Sequence, residues 1–257
     1  MQRVKEYTES YFLPAGECNP QQEMPVTLVA RRIIDIATMH ANLLDVGYAR
    51  LVEDGLTWVL SRLSIEMYRY PGINESYSLS TWIEGFNRHF SERNFELTAE
   101  SGEVLGHCRS VWVPINIRRR ESGALEALES LSDVVSERRC PIDKQPRMTA
   151  LGDEGTLSND YRFRYCDCDF NRHVNAVRYM ELYLNQWDMD FHDEYRIKRF
   201  DISYQHEAYC GDEVKVKIHD AGDDTYLCEI AGKESVHTRA RIIYTKRNNS
   251  NNSNNDN

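Results

Sequence analysis

No apolar run in this chain approaches the roughly 20 residues that a membrane-spanning helix needs. The opening stretch MQRVKEYTESYF lacks the apolar core and small-residue cleavage site of a secretory signal, and it is too acidic for an organelle transit segment. Paired cysteines are missing too. There are seven, an odd number, scattered over 257 residues, which argues against a disulfide framework. Nor is there a surplus of basic residues. The formal charge of -10 argues against a broad nucleic-acid-binding face, while a small basic patch is still allowed. These absences lead us to expect a cytoplasmic chain with reduced thiols that engages no nucleic acid and no membrane. The composition itself is ordinary for a globular protein, 41% hydrophobic and 28% charged, with length for one large domain or two small ones. The final stretch, 248–257, has nothing to bury and reads as a disordered tail.

The chain reads as two similar halves. Val29, Ile33, Ile36, Ala37, His40, Leu43 and Leu44 recur every three or four residues and define one apolar helix face, with Gly47 as a terminator. The runs SIEMYRY, SYSLSTWIE, FELTAE and GHCRSVWVPI follow, rich in β-branched and aromatic residues. The second half repeats this order: a helix over about Val174 to Trp187, then DISYQHEAY, EVKVKIHD, TYLCEIA and HTRARIIYTK. Ile65 aligns with Ile202, and His107 and Arg109 with His237 and Arg239. A longer first-half loop near Gly85–Asn94 absorbs the changing offset. The expected fold is α+β, a tandem double hotdog: two long helices, each wrapped by an antiparallel sheet, form a pseudo-dimer. The expected boundaries are an N-terminal repeat over 1–120 that supplies an apolar pocket, a linker over 121–157 with a short helix in ALEALESLSDVVSERR, and a C-terminal repeat over 158–247 that carries the chemistry. Such a chain already completes a hotdog pair, so a monomer suffices and a homodimer remains open.

The polar chemistry is lopsided. Before its helix the second half has Asp169, Asn171 and His173, where the first has QQEMPVTL; it has Glu207 where the first has Tyr70. On an extended segment Asp169, Asn171 and His173 project to one side. The N–H groups of a helix beginning near Val174 and Asn175 would polarise a carbonyl and hold an oxyanion. A carboxylate that takes a proton from water, an amide that orients it and a histidine that relays it are the parts of metal-free ester-type hydrolysis. Glu207 and Asp169 both qualify as the base. Plainer readings exist: Asn171 as a helix cap, Asp169 as its neighbour, His173 as structural, Glu207 as a solvated strand residue. A zinc reading of Cys166, Cys168 and His173 lacks a second ligand pair. Alternation instead turns both cysteines toward the core.

The segment YRFRYCDCDFNRHVNAVRYMELYLNQ resembles the D-x-N-x-H-V-N-x-x-Y motif of the fatty acyl-ACP thioesterases of plants and bacteria. GLTWVLSRLSIEMYRYPGINE, SVWVPINIRRR and DISYQHEAYCGDEV resemble other segments of that family in the same order, from about residue 5 to 245. The resemblance implies hydrolysis of acyl-acyl carrier protein to a free fatty acid and the carrier in fatty acid biosynthesis, with Asp169, Asn171, His173 and Glu207 as catalytic residues and no metal or cofactor. A cysteine nucleophile discussed for the family would follow the glutamate; here that position is Ala208, which favours direct attack by water. Ile33, Met39 and Trp58 are candidates for an apolar acyl slot. Acyl carrier protein is acidic, so a basic patch should meet it, and Arg118, Arg119 and Arg120 form the densest run, ahead of Arg138-Arg139 and Lys198-Arg199. The alternatives are an acyl-CoA thioesterase, a hotdog 3-hydroxyacyl dehydratase and a non-enzymatic acyl-binding sensor.

Overall fold

The apolar 3–4 spacing of the first half becomes helix α1 (Val26–Leu43), whose Val29, Ile33, Ile36, Ala37 and His40 are buried. Leu43 is exposed in its last turn. The helix does not stop at Gly47. Asp45 takes a left-handed φ of 59°, and the Val46 N–H bonds back to Ala41 O at 3.0 Å, closing the helix end two residues earlier. Gly47 is extended, with φ −77°, and opens a second short helix, α2 (Tyr48–Glu53). The computed structural model describes residues 4–87, 89–123, 132–152 and 156–247. The expected disordered tail and half of the expected connecting helix, 124–131, lie outside the described residues.

The strands of the first half are β1 (Glu6–Phe12), β2 (Leu56–Met67), β3 (Ser76–Asn87), β4 (Phe90–Ala99) and β5 (Val104–Asn116). The second half has β6 (Thr156–Arg162), α3 (Ala176–Leu184), α4 (Met189–Glu194), β7 (Tyr195–Tyr204), β8 (Glu213–Asp220), β9 (Thr225–Ala231) and β10 (Val236–Lys246). They form one ten-stranded sheet in the order β1-β3-β4-β5-β2-β7-β10-β9-β8-β6. The order is a palindrome of two five-stranded halves, as a tandem hotdog requires. β1 and β6, both unforeseen, are its outer edges. Their sequences EYTESYF and TLSNDYR are largely polar because an edge strand has little to bury. The residues assigned to a first-half loop instead lengthen β3 and β4, which stay paired out to Asn87 and Phe90.

Edge-to-edge pairing of β2 with β7 joins the halves. Ser64 lies opposite Asp201, and the register is self-complementary: Leu63 faces Ile202 while their repeat mates Phe200 and Ile65 face each other. The pseudo-twofold therefore passes through the Ser64–Asp201 pair. Asp201 is fully buried there, held by Arg199 Nε and Arg241 Nη2, each at 2.9 Å. Arg199 thus belongs to the junction and not to a surface patch. Arg138 is likewise spent on Glu6, Glu96 and the face of Trp82. α1 packs on β1, β2 and β3, touches α3, and shares one apolar core with both halves.

Behind α1, Arg93 on β4 is buried and donates from Nη1 to His40 Nδ1 at 2.7 Å, while His40 Nε2 reaches Val4 O at 2.8 Å. Burial first, and then the Arg93 charge, push the His40 pKa down to about 4. A neutral buried histidine binds fewer protons than the unfolded chain, so stability is complete above the ordinary histidine pKa near ~6.5 and declines as pH falls toward the folded value. We expect urea midpoints to drop across that window, and the His40→Asn variant to show a shallower decline. An unchanged slope in the variant would remove His40 from the acid response.

Candidate functional site

The sequence between β6 and α3 does not run extended. Tyr165–Asp167 form a 3-10 turn, and that reverses the expected alternation. Cys166 is exposed and Cys168 half-buried, whereas Asp167 is buried. Its carboxylate accepts the Arg164 N–H at 2.7 Å and the Tyr161 hydroxyl at 2.9 Å, and pairs with Arg178 Nε at 2.6 Å. Asp167 therefore ties the approach segment to the first turn of α3, and only the packing of that turn reveals its role.

Asp169 to His173 then close a tight turn. The Asp169 N–H bonds His173 O at 2.8 Å, the Arg172 N–H bonds Asp169 O at 3.0 Å, and Arg172 sits at φ 64°. Asp169 Oδ1 accepts the Asn171 N–H at 2.8 Å, so this carboxylate shapes the turn that carries the amide. Asn171 is exposed and does not cap the helix; Asn175 does, its Oδ1 accepting the Val177 N–H at 2.9 Å. The helix begins at Ala176, two residues after the expected start. The Val174 N–H is spent on Ala208 O and the Asn175 N–H on Asp167 O, both at 2.8 Å, so neither is free to hold an oxyanion. Among the described residues the Ala176 N–H is the first-turn group without a recorded partner.

Glu207 is not on a strand either. β7 ends at Tyr204, where the next two N–H groups turn onto His237 O, and Glu207 follows in the irregular crossing to β8. That crossing lies against the turn before α3, with His173 and Tyr209 bridged. His173 Nδ1 is 3.4 Å from Glu207 Oε1, and the Tyr209 hydroxyl donates to Glu207 Oε2 at 3.4 Å. The Tyr209 ring stands edge-on to the imidazole at 5.1 Å. Burial and the Arg120 charge lower the His173 pKa, against the opposing effect of Asp169. Both lowering effects favour the neutral imidazole. The structure brings Asp169, Asn171, His173 and Glu207 to one helix mouth.

The first repeat forms the opposite wall. Tyr48 of α2 meets Phe170 edge-on at 5.6 Å, and Arg120, after β5, pairs with Glu207 Oε2. Arg120, itself still exposed, is therefore turned toward this site, while exposed Arg118 and Arg119 have no side-chain partner among the described residues. The proposed slot residues do not gather. Ile33 is fully buried in the main core, Met39 is exposed on the outer face of α1, and Trp58 donates to Val46 O at 2.9 Å beside a second apolar cluster. Met39 falls outside because the buried stripe runs through Ile36, Ala37 and His40, leaving Thr38 and Met39 outward.

The first repeat has the same turn with different chemistry. The Asn19 N–H bonds Glu23 O and the Gln22 N–H bonds Asn19 O, both at 2.9 Å, with Gln22 at φ 60°. The Met24 N–H bonds Pro71 O as the Val174 N–H bonds Ala208 O. Asn19, Gln21, Glu23 and Tyr70 thus stand where Asp169, Asn171, His173 and Glu207 stand. Glu23 is neutralised by Arg247 at 2.7 Å, and a cavity of about 290 Å³ opens beside it, walled by Trp187 and His192.

Two family models match the chain: the acyl-ACP thioesterase N-terminal domain over 4–127 and the acyl-ACP thioesterase C-terminal domain over 152–253. An acyl-ACP thioesterase from Bacteroides thetaiotaomicron is 30% identical and superposes with a TM-score of 0.87, over 94% of this chain and 98% of that one. The 12:0-ACP thioesterase of Umbellularia californica shares the fold, with a TM-score of 0.85 at 18% identity over 96% of this chain and 100% of that one. The chloroplastic oleoyl-acyl carrier protein thioesterase 2 of Arabidopsis thaliana is 24% identical over 81% of this chain. The chain spans 61% of that relative's length.

Replacing Asp167 by Ala leaves Arg178 with Glu181 as its remaining carboxylate, and the Arg164 N–H and the Tyr161 hydroxyl without their acceptor. We expect a loss of about 2 kcal/mol in chemical denaturation, the scale of buried donors left without an acceptor. A loss below about 1 kcal/mol would mean that the approach segment is held by other contacts.

Proposed function

The chain belongs to the acyl-ACP thioesterase family, and from that premise we propose that it hydrolyses the thioester of fatty acyl-acyl carrier protein, giving a free fatty acid and the free carrier for fatty acid biosynthesis. The observation that carries this reading is the His173 Nδ1–Glu207 Oε1 approach of 3.4 Å at the mouth of α3, with Asn171 on the adjoining turn. Glu207 is the better base of the two carboxylates, because its Oε1 faces His173 Nδ1, whereas Asp169 Oδ1 holds the turn. In this reading water gives a proton to Glu207 and attacks the acyl carbonyl, with Asn171 orienting it. The oxyanion forms against the Ala176 N–H at the positive end of α3. The tetrahedral intermediate collapses, the C–S bond breaks, and the proton returns through His173 to the departing thiolate of the carrier's arm. Atoms and charge balance with water as the sole co-reactant. Arg118 and Arg119, exposed just before Arg120, and Arg172, exposed on the turn itself, are candidate cations to meet an acidic carrier.

Thiol release from acyl-acyl carrier protein tests this directly. Glu207→Gln should lower kcat by at least about a hundredfold, within the range contributed by a positioned general base, without lowering the melting temperature. His173→Ala should do the same. Full activity in Glu207→Gln would remove it from the chemistry. Turnover of acyl-CoA at a rate matching the carrier thioester would replace the carrier substrate by acyl-CoA. Water release from a 3-hydroxyacyl thioester with no free thiol would point to a dehydratase.

A further inference from the structure

Arg120 sits in the turn that follows β5, at a left-handed φ of 58°, its N–H bonded to Asn116 O at 2.8 Å. Asn116 Oδ1 also accepts the N–H groups of Arg118 and Arg119, at 3.1 and 2.9 Å. The turn is therefore locally built, and its last residue is thrown back across the repeat junction. There Arg120 Nη2 pairs with Glu207 Oε2, the oxygen that the Tyr209 hydroxyl also approaches. The other oxygen, Oε1, faces His173 Nδ1. The charged and titratable groups around Glu207 are thus Arg120 from the first repeat, His173 and Asp169 from the turn before α3, and Tyr209 from its own segment.

We propose that Arg120 is a positioning residue for the hydrolysis: it anchors Glu207 Oε2 from the first repeat, so that Oε1 stays aimed at His173, and the water-activating pair is incomplete without it. This rests on the reading of Glu207 as the base. It also gives the first repeat a part in the chemistry although its own copy of the turn carries Asn19, Gln21 and Glu23 instead. A cation at this place opposes protonation of the carboxylate and of the imidazole alike, so its removal acts in one direction on both.

The test compares wild type, Arg120→Gln, Arg120→Lys and Glu207→Gln on acyl-acyl carrier protein, with kcat and KM measured separately across pH and salt. Arg120→Gln should lower kcat about tenfold, a modest share of what a preorganised charge supplies, and move the acid limb of kcat upward by about one pH unit. Arg120→Lys should restore most of both. Arg120 is exposed, and an unchanged melting temperature confirms that the variant is folded. A raised, salt-sensitive KM with kcat and acid limb unchanged would make Arg120 a carrier-docking residue and overturn the proposal. Wild-type kinetics in Arg120→Gln beside an inactive Glu207→Gln would overturn it too, leaving the role of Glu207 standing. An active Glu207→Gln would end both.

Discussion

The pairing of β2 with β7 is the constraint from which the rest follows. Its register around Ser64 and Asp201 fixes the pseudo-twofold, merges two five-stranded sheets into one and sets α1 beside α3. It also decides what each helix mouth faces. The turn before α3 meets α2 and the end of β5 from the first repeat, and the turn before α1 meets α4 and the start of β7 from the second. A site at either mouth is therefore a joint product of both repeats. The buried Asp201 is safe there only because Arg199 and Arg241 both reach it; an unpaired carboxylate at that depth would oppose folding.

On this symmetric frame the two mouths have diverged. Both keep the tight turn, its left-handed fourth residue and the bond from the residue before the helix cap to the crossing segment. What differs is the side chains. In the first repeat Glu23 is tied to Arg247, and Tyr70 is buried with its hydroxyl on Ile197 O at 3.1 Å. In the second the equivalent groups are an imidazole whose neutral form burial favours and a carboxylate left within its reach. The two mouths share their backbone geometry, and the proposed hydrolytic chemistry is confined to one of them.

Much of this was legible in the sequence, for identifiable reasons. α1 and the inner strands announce themselves because burial on one face imposes a period, and the doubled order of helix then strands exposes the repeat. Asp169, Asn171, His173 and Glu207 stood out because the first half offers only QQEMPVTL and Tyr70 at the matching places; that Asn19, Gln21 and Glu23 occupy the same turn is visible only in its hydrogen bonds. The failures share a cause: local turns whose geometry depends on distant partners. The 3-10 turn at Tyr165–Asp167 buries Asp167 where alternation would bury the cysteines. The N–H groups of Val174 and Asn175 look free until the crossing after β7 and the approach segment supply their acceptors. Arg120 reads as one of three surface arginines until the turn after β5 swings it onto Glu207. The edge strands β1 and β6 carry no apolar run to find.

The central claim is that one chain holds one hydrolytic mouth, in the second repeat and completed by the first. Calorimetric titration with a carrier protein bearing a non-hydrolysable acyl-amide analogue measures it most directly. The account predicts one analogue bound per chain, with a binding heat that Asn171→Ala diminishes and Glu23→Ala leaves unchanged. Two equivalent sites per chain, or binding that depends on Glu23 and ignores Asn171, would contradict it.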